Sequence, residues 1–267
     1  MQSERDFTNY RTEKREEIST MARIIDSMPE EFTEREKDLL LRSFIVLVYA
    51  YWESCYHRVQ EVVFEKYQDS SIKNLPFAIK NKVYLYFALD KAGTNGSKTI
   101  REIDNYSVFQ KISSGILETE DKKLSEHVNQ TIKASVLNKS GNPTFQQLNN
   151  FMHCFNINMD KVVNNNINEG YLAPYFIDFL DFIIKQRNAI AHKNEKIQYT
   201  EKIFNTYFEC IDHVTLVYSE KYQIQIDFTA PDFIKEMLFQ IDRVFTFLIE
   251  SVDEKRRLDE VHENDNN

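Results

Sequence analysis

The chain has 267 residues, 42% of them hydrophobic and 28% charged, enough to bury a sizeable core as one large domain or two small ones. A formal net charge of −9 argues against broad electrostatic adhesion to DNA, RNA or an anionic membrane and leaves room only for a local basic site. Five Gly and five Pro are few breakers for this length, so the chain is predicted to be built from long helices.

The N-terminal stretch "MQSERDFTNYRTEKREE" is highly charged and has no apolar h-region, so no signal peptide is expected. Residues 4–27 read as a polar helix with sparse apolar positions. A turn around Pro29 follows, and Thr33 with Glu36 forms a capping-box pattern that opens a helix over 34–67. Its segment Phe44–Trp52, "FIVLVYAYW", is apolar on all sides, which marks the most buried helix. Nine residues cannot span a bilayer, which needs about 20.

Next come a shorter helix at "FAIKNKVYLYFALDKA", the loop "GTNGSK", and a mixed region over 99–140 read as short helices. "GNPTFQQLNNFMHCF" predicts a helix with Asn142 as N-cap and Pro143 in first position. "VVNNNINEGY" reads as a polar loop. A helix over 172–192 opens at Pro174, and another covers about 200–220 with Phe204, Phe208, Ile211 and Thr215 at helical spacing. "YQIQIDF", residues 222–228, alternates like a short strand. A last helix restarts at Pro231 and frays into the polar tail "DEKRRLDEVHENDNN". Cys55, Cys154 and Cys210 lack any metal-ligand spacing and suit small core residues in a reducing cytoplasm.

The informative stretch is "KQRNAIAHKNEK", residues 185–196. Counting three, four, seven and eight places from Ile184 gives Arg187, Asn188, Ala191 and His192, the positions that continue a buried stripe. Phe176, Ile177, Leu180, Ile183 and Ile184 obey that stripe just upstream, so it keeps its direction but turns polar. Burying an unpartnered guanidinium is costly, which points to a cleft or interface at this helix end. The same residues also fit an ordinary helix C terminus, where cations favour the negative end of the dipole. On the residues alone both readings stand. A second Arg-to-His match, Arg257 and His262, lies in the charged tail without an apolar stripe and is read as coincidence.

Glu53 follows directly on the apolar run of the most buried helix, and a carboxylate there needs a partner. Arg187 or His192 is one candidate for a direct hydrogen bond, and an unrelated cation is the other. Trp52 reads as core, and His57, His153 and His213 as single surface or core histidines. No acidic or Cys/His cluster with metal-ligand spacing is visible, so no cofactor is expected.

"RNAIAH" behind an apolar helix resembles the signature of the HEPN superfamily, helical domains that include many prokaryotic RNases. The fuller resemblance is to RiboL-PSP-type HEPN-like nucleases, in which a "Y-A-x-W-E" segment on a long N-terminal helix precedes "R-N-x-I-A-H" by over a hundred residues. Here these segments are Tyr49-Ala50-Tyr51-Trp52-Glu53 and Arg187 to His192. "PTFQQLNNFMHCFNI" lies between them, where related proteins tend to have a comparable helix. Lys193 departs from the Gly that often follows the His, which alters the loop but removes no catalytic group.

The resemblance implies a mostly all-α, HEPN-like helical bundle over 1–228 with an insertion at about 70–165, followed by a C-terminal helix and tail over 229–267. It implies metal-independent RNA cleavage that leaves a 2′,3′-cyclic phosphate and a 5′-OH. Arg187 and His192 are then the catalytic pair, with Asn188 and Glu53 in support. It also implies a cytoplasmic homodimer with a composite site, acting as a toxin or antiviral-defence effector restrained by an antitoxin or sensor protein, away from membranes. A catalytically silent HEPN-like interaction or sensing module is the alternative, and the −9 charge leans toward it.

Overall fold

The scarcity of breakers is expressed as long helices laid around one another. The computed structural model describes residues 2–91, 113–117, 120–127, 142–192 and 197–265. Helix α1 covers Gln2–Asp26 and α2 covers Glu34–Tyr67. The start of α2 is the predicted capping box: Thr33 N–H donates to Glu36 Oε2 at 2.8 Å, and Glu36 N–H to Thr33 Oγ1 at 3.3 Å. After a 3-10 turn at Ile72–Asn74 come α3, Phe77–Lys91, and the short α4, Leu124–His127. Helices α5, Phe145–His153, α6, Met159–Asn168, and α7, Phe176–Ala191, follow. A two-stranded antiparallel hairpin, β1 Ile197–Tyr199 and β2 Lys202–Phe204, leads to α8, Tyr207–Tyr222, and α9, Ala230–Asp265.

Helix α2 is the axle, with α1, α7, α8 and α9 packed around it. Phe44, Ile45, Val48, Tyr51, Trp52 and Val59 are all at most 1% exposed, whereas Leu47 and Ala50 of the same run reach the surface, so the run expected to be buried all round keeps one open face. One core cluster runs from Phe7 on α1 through α2 and α7 to Val252 on α9. The C-terminal helix is therefore part of this core: Phe233, Met237, Ile241, Phe245 and Leu248 are all fully buried. It remains helical through Asp265, where the tail was expected to fray.

Three stretches differ from expectation. The "VVNNNINEGY" segment is mostly helix α6, because Asn158 caps it through Lys161 N–H at 3.0 Å and Met159 and Val163 are buried. Its Asn164 and Asn165 face solvent, and the chain leaves α6 through Gly170 at φ 78, a left-handed stop that suits glycine. Second, the helix predicted from 200 begins at Tyr207, where Thr206 Oγ1 accepts from Glu209 N–H at 3.2 Å. The residues before it form the hairpin, pairing Ile197 with Phe204. Third, the strand pair lies at 197–204, whereas 224–229 carry no regular structure. The loop "GTNGSK" and most of 99–140 lie outside the described residues.

One carboxylate ties three helices together. Asp242 on α9 accepts from Arg11 Nε at 2.8 Å and Tyr51 Oη at 2.8 Å through Oδ1, and from Arg15 Nη1 at 3.1 Å through Oδ2. Burial pushes the Asp242 carboxyl up, but the Arg11 hydrogen bond and charge outweigh it and hold the group below the usual carboxylate range. Asp242→Asn strands two cations and is expected to cost about 3–5 kcal/mol in urea unfolding. A folded pKa held below the unfolded value of about 3.9 gives stability that is full above that pH and falls as pH drops through the folded value. The variant should lack this acid-side slope.

Candidate functional site

The site forms where α2, the segment just before α5, and the end of α7 meet. Each contributes for a local reason. Tyr49 belongs to the enclosed stretch of α2 and is 1% exposed, yet its hydroxyl must find partners. It contacts Asn142 Oδ1 at 3.1 Å and Glu53 Oε1, one helical turn on, at 3.4 Å. A phenol has one proton, so these two acceptors share it. Burial first, and then the Glu53 charge, push the Tyr49 hydroxyl up to about 12, with Arg187 opposing. It stays a donor across the whole neutral range.

Asn142 was expected to cap a helix beginning at Pro143. Thr144 caps it instead: Gln147 N–H donates to Thr144 Oγ1 at 3.2 Å and Thr144 N–H to Gln147 Oε1 at 2.9 Å. That box is complete without Asn142, whose side chain is released to the site. The segment is anchored by Trp52, whose Nε1 donates to the Pro143 carbonyl at 2.7 Å. Trp52 is thus a buried core residue with a fixed polar tip.

Arg187 lies half-buried on α7, with its guanidinium carbon 4.6 Å from the Tyr49 ring centroid. Its Nη1 donates to Asn142 Oδ1 at 3.2 Å and to Asn188 Oδ1 at 3.2 Å. Asn142 Nδ2 donates to the same Asn188 oxygen at 2.9 Å. Among the described residues Arg187 has no carboxylate within 4.0 Å. Three other arginines do pair with carboxylates, Arg11 and Arg15 with Asp242 and Arg42 with Asp38, while Arg58 stacks on Tyr10 and Arg243 donates to the Tyr171 carbonyl.

Glu53 does not make the direct bond to Arg187 or His192 that its position suggested. It joins the cluster through the Tyr49 hydroxyl, because it sits a full turn beyond Tyr49 on α2. Asn188 turns its amide to Arg187 and Asn142, and only its backbone carbonyl accepts from the His192 N–H, at 3.0 Å.

His192 is the C-cap of α7 and is exposed. The polar stripe is accordingly only partly buried. Beside the stripe, Gln186 is deeply buried, and its Nε2 donates to the Gln198 carbonyl at 3.0 Å and ties α7 to the hairpin. Residues 193–196, Lys193 among them, and the side chain of His262 lie outside the described residues. Arg257 bonds back to its own helix at Asp253. His213 packs beside Phe204 and Tyr199 of the hairpin, and burial lowers its pKa. Among the described residues no three His, Cys, Asp or Glu side chains group as metal ligands, and no helix is long and apolar enough to cross a membrane.

A mostly helical bundle that offers an arginine and a histidine from the end of one helix is the arrangement of a HEPN domain. The family described as RiboL-PSP-HEPN matches residues 10–226, and the chain belongs to that family. No curated protein and no solved structure matches the chain.

Tyr49→Phe keeps the ring under Arg187 and removes the hydroxyl. It should destabilise the fold by about 0.5–1.5 kcal/mol at neutral pH. The raised Tyr49 pKa contributes stability that is full below the unfolded value of about 10 and is lost as pH climbs toward the folded value of about 12. The gap between wild type and variant in chemical unfolding should therefore narrow between those two pH values.

Proposed function

We propose that this protein is a metal-independent RNA endonuclease of the HEPN type, with Arg187 and His192 as its catalytic pair. The observation that carries this reading is the state of Arg187. A half-buried guanidinium stacked on an aromatic ring and held, among the described residues, by neutral amide oxygens keeps its full charge for an anion. A purely structural arginine gains most from a carboxylate, as Arg11 does here.

The chemistry follows from RNA carrying its own nucleophile. The 2′-oxygen attacks the adjacent phosphorus while the bond from phosphorus to the 5′-oxygen breaks. The proton leaving the 2′-hydroxyl passes to a base, and a proton is delivered to the departing 5′-oxygen. The products are a 2′,3′-cyclic phosphate and a 5′-OH. An imidazole such as His192 suits either transfer, and Arg187 stabilises charge that builds on the phosphate oxygens.

One imidazole does not serve as base and acid in the same step, so the reading includes a two-fold homodimer in which two copies face one phosphate. Exposed Leu47 and Ala50, flanking Tyr49 on α2, suit the rim of such an interface. A second copy would also gather positive charge locally on a chain of net charge −9. The role is that of a cytoplasmic toxin or defence effector held in check by a protein partner. The rival is a silent HEPN module used for interaction or sensing, which the acidic balance suits.

Expression of wild type in a bacterial host should arrest growth, and His192→Ala should not. In vitro, His192→Ala should lower single-turnover RNA cleavage about 10²- to 10⁴-fold, and Arg187→Ala about 10²- to 10³-fold. His192→Ala should leave unfolding within about 0.5 kcal/mol of wild type, because that side chain is exposed. Arg187→Lys should also be poor, since an ammonium lacks the planar fork. Cleavage should persist in excess EDTA. A wild type that neither arrests growth nor cuts RNA would favour the silent module.

A further inference from the structure

We propose that Asn142 is a positioning residue for Arg187, an inference that rests on the endonuclease reading above. Three contacts fix the arginine. The Tyr49 ring at 4.6 Å sets the plane of the guanidinium. Asn142 Oδ1 and Asn188 Oδ1, each 3.2 Å from Nη1, hold one of its corners. Asn142 Nδ2 closes the ring by bonding Asn188 Oδ1 at 2.9 Å. The remaining edge, Nε with Nη2, makes no hydrogen bond among the described residues. That edge carries two parallel donors, the pattern that matches two oxygens of one phosphate.

Asn142 is the member of this ring that comes from another part of the chain. It is exposed, lies outside helix α5, and is not needed for the cap that Thr144 and Gln147 form. Its segment is pinned through Pro143 to Trp52, one turn along α2 from Tyr49. The choice of an amide is the informative part. A neutral oxygen can orient a guanidinium without cancelling its charge, whereas a carboxylate at the same place would orient it and neutralise it. Asn142 therefore sets which edge of Arg187 meets the substrate and leaves that edge cationic.

The test compares wild type, Asn142→Ala and Asn142→Asp in two arms. The first is nitrogen-detected NMR of the Arg187 guanidinium in the RNA-free protein. Wild type should show slowed rotation of the terminal nitrogens, Asn142→Ala should restore fast averaging, and Asn142→Asp should keep the slow regime. The second arm is cleavage of a short RNA. Asn142→Ala should lower kcat about 10- to 100-fold with KM little changed, the signature of misplacement in place of lost binding. Asn142→Asp should be at least as inactive although its arginine is ordered. A packing role for Asn142 predicts the opposite order, with the near-isosteric Asp variant the more active.

Unchanged guanidinium dynamics in Asn142→Ala, or an Asp variant more active than the Ala variant, overturns the proposal. If wild type cuts no RNA, the endonuclease reading fails by itself, and the NMR arm still decides whether Asn142 orders Arg187.

Discussion

The structure depends on how α2 disposes of three aromatic side chains that carry polar tips into an apolar interior. Tyr49, Tyr51 and Trp52 lie within one turn of a helix packed against four others. Their rings fill the core, but a buried hydroxyl or indole N–H left without a partner is costly. Each tip therefore reaches beyond its own turn to a partner. Tyr51 goes to Asp242 on the last helix, Trp52 to the Pro143 carbonyl, and Tyr49 to Asn142 and Glu53. The first of these contacts locks the N- and C-terminal helices onto α2. The other two bring a segment from the middle of the chain to the end of α7.

From this arrangement the character of Arg187 follows. Among the described residues, the groups that hold it are an aromatic face and two amide oxygens, all uncharged. Arg11, Arg15 and Arg42 pair with carboxylates, whereas among the described residues Arg187 has none within 4.0 Å. An acidic protein with an oriented guanidinium at a helix end, free of a carboxylate partner among the described residues, is suited to an anion at a local point, not along a broad surface.

What could be read from the residues was what is encoded locally. The Thr33–Glu36 box and the apolar run after it announced α2 with its boundaries, and Ile183 and Ile184 made the polar residues after them stand out. Local signals also misled. Pro143 in a helix-opening position drew the cap to Asn142, although the T-x-x-Q box one residue later wins because it satisfies two backbone N–H groups reciprocally. The run of three Asn outweighed the Met159–Val163–Ile167 spacing that makes α6 a helix. Phe204 at helical spacing from Phe208 disguised the hairpin, although the T-x-x-E signature at Thr206–Glu209 marked the true start of α8. Tyr49 and Asn142 were out of reach for a different reason. Their partnership spans 93 positions, and no periodicity within either segment encodes it.

The most direct measurement is the end chemistry of a defined RNA after incubation with the purified protein, run beside the same oligonucleotide carrying one 2′-deoxy residue at the mapped cut. If Arg187 and His192 work on an internal nucleophile, the upstream fragment ends in a 2′,3′-cyclic phosphate, the downstream fragment begins with a 5′-OH, and the single deoxy substitution stops the cut. Products with a 3′-OH and a 5′-phosphate, or cleavage that continues past the deoxy residue, would contradict the account.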